Sequence, residues 1–346
     1  MKTAKTLLLA AALLLATAAT HRLPKCTDSP YCGFNRPEDI SLLPGSDWSV
    51  VSQSQPEAPF VLLNLKTGTR TPVKNEAASL PSLGDPLCKR RDGPIEARGN
   101  SVSKGQGGVT VAVIDARTPA QINLFKAAPQ AAPKAVPQLA WAGCVDVPAR
   151  YNLNDVALAK DGTLYVSHMF DKPQDAQGAA ALKQAFLTAA PIGHALHWTP
   201  AQGWQSVPDT SAAFANGIAL SQDGQWLALS GTFDQKIIMK NVATGKVHRI
   251  SVPLQPDNLS PEGAHGFLVA GHTGVPVTGV DGCRPAEAVP CGFPFAVALV
   301  KPNKPAKLLY SDDGQHIAGA SVAVRWQRQL LLGSAYGDRL TLVPSN

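Results

Sequence analysis

A doublet of adjacent residues, mostly polar, recurs six times along the chain, each time at the start of an alternating apolar stretch. The doublets are Glu38-Asp39, Arg98-Gly99, Asn154-Asp155, Asn216-Gly217, Asp257-Asn258 and Ala320-Ser321. Carboxylate and amide oxygens dominate them. Ca²⁺ prefers about six to eight oxygen ligands in a flexible arrangement, whereas Mg²⁺ requires a tight octahedron. Zinc is disfavoured because no doublet contains His or Cys. If the doublets meet in space, the sequence predicts a calcium site.

The four first positions that carry a carboxylate or an amide, together with Asn258, are the predicted ligands of one calcium ion. These five residues, called the oxygen set below, are Glu38, Asn154, Asn216, Asp257 and Asn258. The second positions Asp39 and Asp155 could hold a second, buried calcium with backbone carbonyls such as that of Asn100. The alternative is that Asn and Asp recur in turns before strands, where their side chains satisfy backbone groups. The shared register favours the metal for the oxygen set, whereas both interpretations stay open for Asp39 and Asp155.

The spacing of the doublets predicts the fold that positions them. Successive doublets are 60, 56, 62, 41 and 63 residues apart, and Asp161-Gly162 and Asp223-Gly224 separate alternating runs as in type I′ hairpins. Six copies at a period of about 40 to 60 residues are typical of a β-propeller with four-stranded blades. Because the innermost strands of a propeller surround one axis, we expect the doublets at one mouth of its channel. We therefore predict an all-β, six-bladed β-propeller formed by residues 21–346 as a single domain.

Composition agrees with an all-β fold and excludes several other classes. The chain has 346 residues, of which 29 are Gly and 29 are Pro, the two poorest helix formers. These values are unlike those of a coiled coil, a collagen or a disordered polymer. One segment, Ala176–Leu187, is rich in helix formers and is predicted to be a short helix over one mouth. The net charge of +6 comes from interspersed basic and acidic residues, so we expect no nucleic-acid partner.

The N-terminus predicts export from the cytoplasm. Residues 1–20 place Lys2 and Lys5 before an apolar stretch that ends in small residues, which is typical of a secretory signal peptide. The apolar stretch is shorter than the roughly 18 to 20 residues that a transmembrane helix needs, so we expect no stable membrane span after its removal. The mature protein is therefore predicted to be periplasmic or secreted.

The cysteines support an oxidising compartment. All six follow residue 20, and an even number in an exported chain predicts disulfide bonds. The candidate local pairs are Cys26 with Cys32 and Cys283 with Cys291, which would leave Cys88 with Cys144. A zinc site is disfavoured because the chain contains no Cys-x-x-Cys spacing.

Three stretches closely resemble the calcium-dependent paraoxonases and arylesterases, and the wider group of gluconolactonase-like and strictosidine-synthase-like propellers. They are Asn154-Asp155-Val156, residues 214–224 and Asp257-Asn258-Leu259-Ser260. The similarity extends from about Arg36 to the C-terminus. It implies a catalytic calcium held by the oxygen set and a structural calcium involving Asp39 and Asp155. In that family the catalytic ion contacts an ester or lactone carbonyl, so the resemblance implies a calcium-dependent hydrolase whose substrate is a lactone or aryl ester.

The residue that would activate water departs from the family pattern. The family's histidine pair aligns with Arg98 and a position near Ala116, and neither residue acts as a base under ordinary conditions. Because arginine stays protonated, we expect Arg98 to bind a carboxylate or phosphate of the substrate. The family also has a histidine at the active-site wall, which Gly271-His272-Thr273 matches. The candidates for the base are therefore His272, then His168, then Asp155.

Two other functions fit the same residues. Because the family's histidine pair is missing, the protein could be a non-catalytic, calcium-stabilised propeller that binds a ligand or protein at the same mouth. A gluconolactonase-like hydrolase of sugar lactones would use the same chemistry with a different pocket. The absence of a Gly-x-Ser-x-Gly motif argues against the serine chemistry of the α/β-hydrolases.

Overall fold

The computed structural model describes residues 21–76, 83–105, 107–128, 136–273, 291–315 and 317–345. The predicted signal peptide and Cys283 lie outside these ranges. Six sheets follow one another along the chain, and the three or four main strands of each are antiparallel and adjacent in the order in which they occur in the sequence. The predicted all-β, six-bladed propeller is therefore confirmed.

The blades are numbered in chain order, and their strands are given from the axis outwards. Blade 1 contains Asp39–Leu42, Trp48–Ser52, Phe60–Asn64 and Arg70–Pro72. Blade 2 contains Ala97–Gly105, Gly108–Asp115, Gln121–Ala127 and Leu139–Asp146, and the short strand Leu83–Gly84 pairs in parallel with the last of these. Blade 3 contains Tyr151–Leu158, Leu164–Asp171, His194–Thr199 and Gly203–Ser206.

Blade 4 contains Ala215–Leu220, Trp226–Gly231, Lys236–Asn241 and Val247–Ser251. Blade 5 contains Gln255–Glu262, Gly266–His272, Phe295–Val300 and Lys307–Asp312. Blade 6 contains Val322–Trp326, Gln329–Gly333 and Thr341–Pro344. A separate pair of short strands joins His21–Arg22 to Cys291–Gly292.

The hydrophobic core is divided among the interfaces between blades. Six clusters of buried side chains each join two neighbouring blades. The cluster that joins blade 6 back to blade 1 contains Ile40, Val322 and Leu331. Backbone hydrogen bonds from Phe34 to Asp338 and from Leu340 to Tyr31 close the ring at 2.9 and 3.0 Å. The ends of the chain therefore hold the propeller shut, and every blade is packed on both faces.

The predicted helix forms at Ala176–Leu187, between the second and third strands of blade 3. Its N-cap Asp175 accepts a hydrogen bond from the Gly178 backbone at 2.7 Å. None of its residues is fully buried, but the ring of Phe186 lies 5.6 Å from that of Phe214, two residues before Asn216. The helix therefore lies beside the mouth that carries the doublets. Within the described ranges, no helix combines the length and apolarity needed to cross a membrane.

Two of the predicted disulfide bonds are present, Cys26–Cys32 and Cys88–Cys144. The Asp-Gly hairpins are present as well, but the predicted type I′ turn is wrong. Among the residues of these two turns only Gly162 and Gly224 have positive φ, of 92° and 75°, whereas a type I′ turn needs positive φ at both central residues. The aspartates instead bind the backbone: Asp161 accepts from Thr163 N at 2.9 Å and Asp223 from Gln225 N at 3.1 Å.

The doublets of blades 2 to 5 are β-bulges in the innermost strands. In blade 3, Leu153 pairs with His168 and Val156 with Val166, so both residues of the doublet lie opposite a single residue. The same two-to-one arrangement occurs at Arg98-Gly99, Asn216-Gly217 and Asp257-Asn258. A bulge bends its strand and redirects side chains. The recurring doublet is therefore a backbone device that aims side chains at the axis, and not only a turn before a strand.

The glycines of two doublets are required by the neighbouring blades. A Cβ atom on Gly99 would lie 2.2 Å from Asp155 Oδ1, and one on Gly217 would lie 2.5 Å from Asp257 O and 2.6 Å from Asn258 Cα. All three distances are far inside van der Waals contact. Bulges of adjacent blades therefore pack directly against each other at the axis, and only glycine permits this approach.

We expect Gly217→Ala to lower the free energy of unfolding by about 1 to 3 kcal/mol, the usual cost of forcing extra atoms into a packed region. Urea unfolding in EDTA, followed by tryptophan fluorescence, measures the effect. The control is Gly178→Ala in the exposed helix, where alanine is expected to be neutral or to stabilise by up to about 1 kcal/mol. Equal stability of the two variants would contradict the close packing of the bulges.

Candidate metal centre and cavity

The doublets of four blades contact one another directly at the axis. The backbone oxygen of Glu38 accepts hydrogen bonds from Asn258 Nδ2 and from Ser321 Oγ, each at 3.0 Å. The side chain of Asn216 donates a hydrogen bond to the carboxyl of Asp257. The fifth member of the oxygen set, Asn154, lines the same cavity as Glu38. The fold therefore brings together residues that are as far apart in sequence as Glu38 and Asn258.

Two amide oxygens of the oxygen set are buried without a hydrogen-bond partner. Asn258 Nδ2 donates to Glu38 O, and Asn216 Nδ2 donates to Thr232 Oγ1 at 3.3 Å. The corresponding Oδ1 atoms accept from no donor in the described part of the chain. Since buried polar atoms are nearly always paired, these oxygens suit a ligand. Neutral oxygens beside the carboxyls of Glu38 and Asp257 are the donor set that a hard cation prefers.

The carboxyls of the oxygen set lie in an environment that disfavours an isolated negative charge. Burial raises the pKa of Glu38, an effect that Arg98 and Arg36 oppose. Burial also raises the pKa of Asp257 well above its usual range, and the charges of Glu38 and Asp39 act in the same direction. Negative charges held together away from water repel each other strongly. A bound cation would remove this repulsion.

Asp39 and Asp155 hold neighbouring blades together. Asp39 accepts from Ile40 N at 2.9 Å and, across to blade 2, from Asn100 N at 2.6 Å. Asp155 accepts from Val156 N at 2.7 Å and, across to blade 4, from Ile218 N at 2.9 Å. Burial raises the pKa of Asp39 to about 7 and raises that of Asp155 well above its usual range. All four carboxylate oxygens therefore already bind backbone groups, as the turn-capping interpretation expects.

The second, structural calcium stays a prediction. The backbone oxygen of Asn100, a predicted ligand, accepts a hydrogen bond from Ser41 Oγ at 3.2 Å, whereas its side-chain oxygen is buried without a partner. Among the described residues, no group of three or more His, Cys, Asp or Glu side chains is arranged to hold a metal ion. A metal centre at this mouth would therefore need asparagine oxygens as ligands in addition to the carboxylates.

An open cavity of about 600 Å³ lies at this mouth. Glu38, Asn154, Arg98, Arg36 and Tyr336 are among the residues that line it. No sequence pattern marks Tyr336, which lies in the loop between the last two strands of blade 6. Burial raises the pKa of Tyr336 to about 12, and the charges of Asp257 and Glu38 act in the same direction. Its hydroxyl therefore stays protonated and can donate a hydrogen bond in the cavity.

His272 does not line the cavity itself, but it packs against Tyr336, which does. Its ring lies edge-on to those of Phe293 and Tyr336, with centroids 4.5 and 5.6 Å away, and Nε2 is buried without a partner among the described residues. Burial lowers the pKa of His272 to about 4, an effect that a hydrogen bond with the Gly319 backbone opposes. The imidazole is therefore uncharged at neutral pH and keeps one nitrogen free.

The other two candidate bases have no free atom of this kind. His168 Nδ1 accepts from Asn152 N at 3.3 Å, and its Nε2 bonds Asp171 Oδ1 at 3.1 Å. Burial, with the nearby His194, lowers the pKa of His168 to about 4, and this ring, like that of His272, is not part of the cavity lining. Asp155 binds two backbone N–H groups through its two oxygens. Of the three candidates, His272 alone combines a neutral ring with an unpartnered nitrogen.

A second, apolar cavity of about 740 Å³ lies beside the helix. Leu182, Phe186 and Phe233 are among its lining residues. Phe186 and Phe233 also belong to a cluster of four phenylalanines with Phe170 and Phe214, whose ring centroids are 5.0 to 6.1 Å apart. The sequence analysis found the helix but not the aromatic cluster, because these rings are brought together from blades 3 and 4.

Comparison with known proteins agrees with this architecture. The sequence model of the Arylesterase family matches residues 197–341, which include Asn216, Asp257, Asn258 and His272. The resemblance to arylesterases inferred from the sequence is therefore confirmed over that part of the chain. The sequence matches no curated protein.

Two solved structures share the fold at low sequence identity. A gluconolactonase from Xanthomonas campestris is 16% identical, with a TM-score of 0.52 over 92% of this chain and 88% of that one. A luciferin-regenerating enzyme is 12% identical, with a TM-score of 0.50 over 92% of this chain and 88% of that one. At such identities the likeness extends to the propeller fold alone.

We expect Asn216→Ala to reduce the increase in melting temperature that calcium produces, because one unpartnered oxygen of the centre is lost and metal binding is linked to folding. Thermal unfolding in saturating calcium and in EDTA measures this difference. The control is Asn64→Ala, which removes a side chain that caps a turn in blade 1 through Lys66 N and Thr67 N. This variant should lose the same stability in both buffers. If calcium raised the melting temperature of Asn216→Ala as much as that of the unchanged protein, Asn216 would serve only as a turn cap.

Proposed function

We propose that the protein is a calcium-dependent hydrolase of lactones or aryl esters. The observation that carries this proposal is the pair of buried, unpartnered oxygens of Asn216 and Asn258 beside two carboxyls at an open cavity. The match of residues 197–341 to the Arylesterase family supports the hydrolase chemistry. The two disulfide bonds support action in the periplasm or outside the cell, where such bonds persist.

The oxygen set supplies two carboxylates and three amide oxygens to the proposed metal. The hydrogen bonds of Asn258 to Glu38 and of Asn216 to Thr232 fix both amide groups, so their free oxygens need no rearrangement to serve as ligands. A calcium ion bound there would polarise the substrate carbonyl and stabilise the oxyanion that forms when water attacks.

We assign proton acceptance to His272. Because its pKa is lowered to about 4, the ring is already unprotonated at neutral pH, and Nε2 is the nitrogen able to receive a proton. Tyr336, whose ring packs against His272, lines the cavity and keeps its hydroxyl proton. It can therefore donate a hydrogen bond to a substrate oxygen but cannot replace the histidine as a base.

The apolar cavity beside the helix offers a place for the hydrocarbon part of an ester. Phe214 precedes Asn216 by two residues, and Phe233 follows Thr232, which bonds Asn216. The aromatic cluster thus joins the proposed metal centre through chain continuity. Aromatic rings pack edge-to-face with other rings, so an aryl group is a suitable occupant.

Hydrolysis of a panel of lactones and aryl esters by the exported, calcium-loaded protein tests the proposal. We expect turnover that EDTA abolishes and that calcium restores better than an equal concentration of magnesium, which fits flexible oxygen sites poorly. Bound calcium is quantified in the same samples. If the protein binds calcium but cleaves no member of the panel, it is a non-catalytic calcium-stabilised propeller and the proposal is wrong.

Substitution of the two buried histidines tests the assignment of the base. We expect His272→Gln to lower kcat by about 10² to 10⁴, the usual contribution of a general base, with little change in KM or calcium affinity. His168→Gln, whose ring nitrogens are both engaged, should lower the melting temperature and leave kcat within about threefold. Equal losses of kcat in the two variants would remove His272 from the chemical step.

A further inference from the structure

Three arginines line the cavity at the proposed metal centre, and one of them is already neutralised. Arg117 Nη2 lies 2.6 Å from Asp115 Oδ2, and its Nε lies 3.1 and 2.9 Å from the two carboxylate oxygens of the same residue. Because Asp115 neutralises the charge of Arg117 within blade 2, Arg117 is not available to bind an anionic ligand. Arg36 and Arg98, the other two, form no such ion pair with any residue that the structure describes.

Arg98 and Arg36 keep most of their hydrogen-bonding capacity. A guanidinium group has about five N–H donors, and within the described residues Arg98 uses one of them, Nη1 to Leu153 O at 3.2 Å. Arg36 makes no side-chain hydrogen bond or ion pair within the same ranges. Both guanidinium groups influence the carboxyl of Glu38 electrostatically without forming a close ion pair with it.

The backbone of Arg36 is held in an unfavourable conformation at the edge of the cavity. Its φ is +51°, in the left-handed region where glycine and asparagine are preferred, and its N–H bonds Gly337 O at 2.8 Å. A glycine would meet the backbone requirement at lower cost. The contact of Arg36 with Gly337 uses only its backbone, so the arginine side chain is not required for closing the ring.

A divalent cation would leave Arg36 and Arg98 in the cavity lining without an acidic partner in the oxygen set. The two charges of the cation would offset those of Glu38 and Asp257. Asp39 and Asp155 do not line the cavity, and their oxygens already bind backbone N–H groups. Glu96 also lines the cavity, but it is exposed and its charge is screened by salt. Two arginines with unused donors in the lining of a concave site attract anions.

We propose that the cavity takes an ester or lactone that carries a carboxylate, and that Arg36 and Arg98 bind this carboxylate while the carbonyl to be cleaved lies at the metal centre. The inference rests on the proposed function and names its substrate class. Planar guanidinium groups suit a carboxylate because they present parallel donors to its two oxygens. A neutral substrate of the same size would leave both cations without a partner.

A matched pair of substrates tests the inference. These are 4-nitrophenyl hydrogen glutarate, which carries a carboxylate, and its methyl ester, which does not. We expect kcat/KM to favour the acid by about tenfold or more, the effect of one charge-assisted hydrogen bond, and Arg36→Gln and Arg98→Gln each to reduce this preference by about tenfold. The control Arg328→Gln changes an exposed arginine between the first two strands of blade 6 and should leave the preference unaltered.

Calorimetric titration of the calcium-loaded protein with glutarate gives a readout that needs no turnover. Glutarate affinity should fall about tenfold or more in Arg36→Gln and Arg98→Gln but not in Arg328→Gln. Arg98→Gln removes the hydrogen bond to Leu153 O and could disturb blade 3. Arg36→Gln removes no side-chain hydrogen bond among the described residues, so this variant tests the anion site in a folded protein.

The possible results separate this inference from the proposed function. Hydrolysis of both esters with equal kcat/KM, or a preference that survives both arginine substitutions, overturns the carboxylate site and leaves the hydrolase intact. Glutarate binding that depends on the arginines, without cleavage of any ester, supports the anion site and refutes the hydrolase.

Discussion

The structure depends on the contact between bulges of adjacent innermost strands at the axis. Asp39 reaches across to Asn100 N, and Asp155 reaches across to Ile218 N. Gly99 and Gly217 let the next bulge approach within van der Waals distance. These contacts fix the angular position of each blade relative to its neighbour, and the hydrophobic clusters between blades then fill the space outside. The side chains that meet at the mouth are therefore placed by backbone geometry.

This arrangement has an electrostatic cost. Four carboxyls lie near one another, those of the buried Asp39, Asp155 and Asp257 and of the half-buried Glu38, and loss of water raises the pKa of each. Backbone N–H groups compensate Asp39 and Asp155, so these two can serve the fold alone. Glu38 and Asp257 have no comparable set of backbone donors. Arg98 and Arg36 offset the charge of Glu38 in part, and a cation bound at the oxygen set would offset the remainder and so stabilise the folded protein.

The sequence predicted the parts of the fold that repeat. The spacing of the doublets predicted six blades, and local propensity predicted the helix at Ala176–Leu187 with its bounds. The repeat could not show that the doublets are bulges, because bulges are defined by pairing with another strand. The type I′ turns were wrong because the side chains of Asp161 and Asp223 bind the backbone and remove the need for a second positive φ.

The parts of the site that the sequence did not reveal are those made by contacts between distant segments. Tyr336 reaches the mouth only because the ends of the chain close the ring, and no local pattern marks it. The aromatic cluster likewise joins Phe186 of the helix to Phe214 and Phe233 of blade 4. The sequence ranks His272 before His168 only through a short motif, and both are buried with a lowered pKa. Their hydrogen bonds distinguish them. Both ring nitrogens of His168 have a partner, whereas Nε2 of His272 has none among the described residues.

The use of asparagine in the oxygen set follows from the same electrostatics. Carboxylates at 154, 216 and 258 would bind a cation more strongly, but they would add three buried negative charges next to Glu38 and Asp257. Amide oxygens provide ligands without that repulsion, and their N–H groups hold the bulges through Glu38 O and Thr232 Oγ1. With only two carboxylates, a divalent cation would neutralise the set without reversing the influence of the nearby arginines. Asparagine would therefore let the same residues join the blades and bind a cation without removing the influence of Arg36 and Arg98.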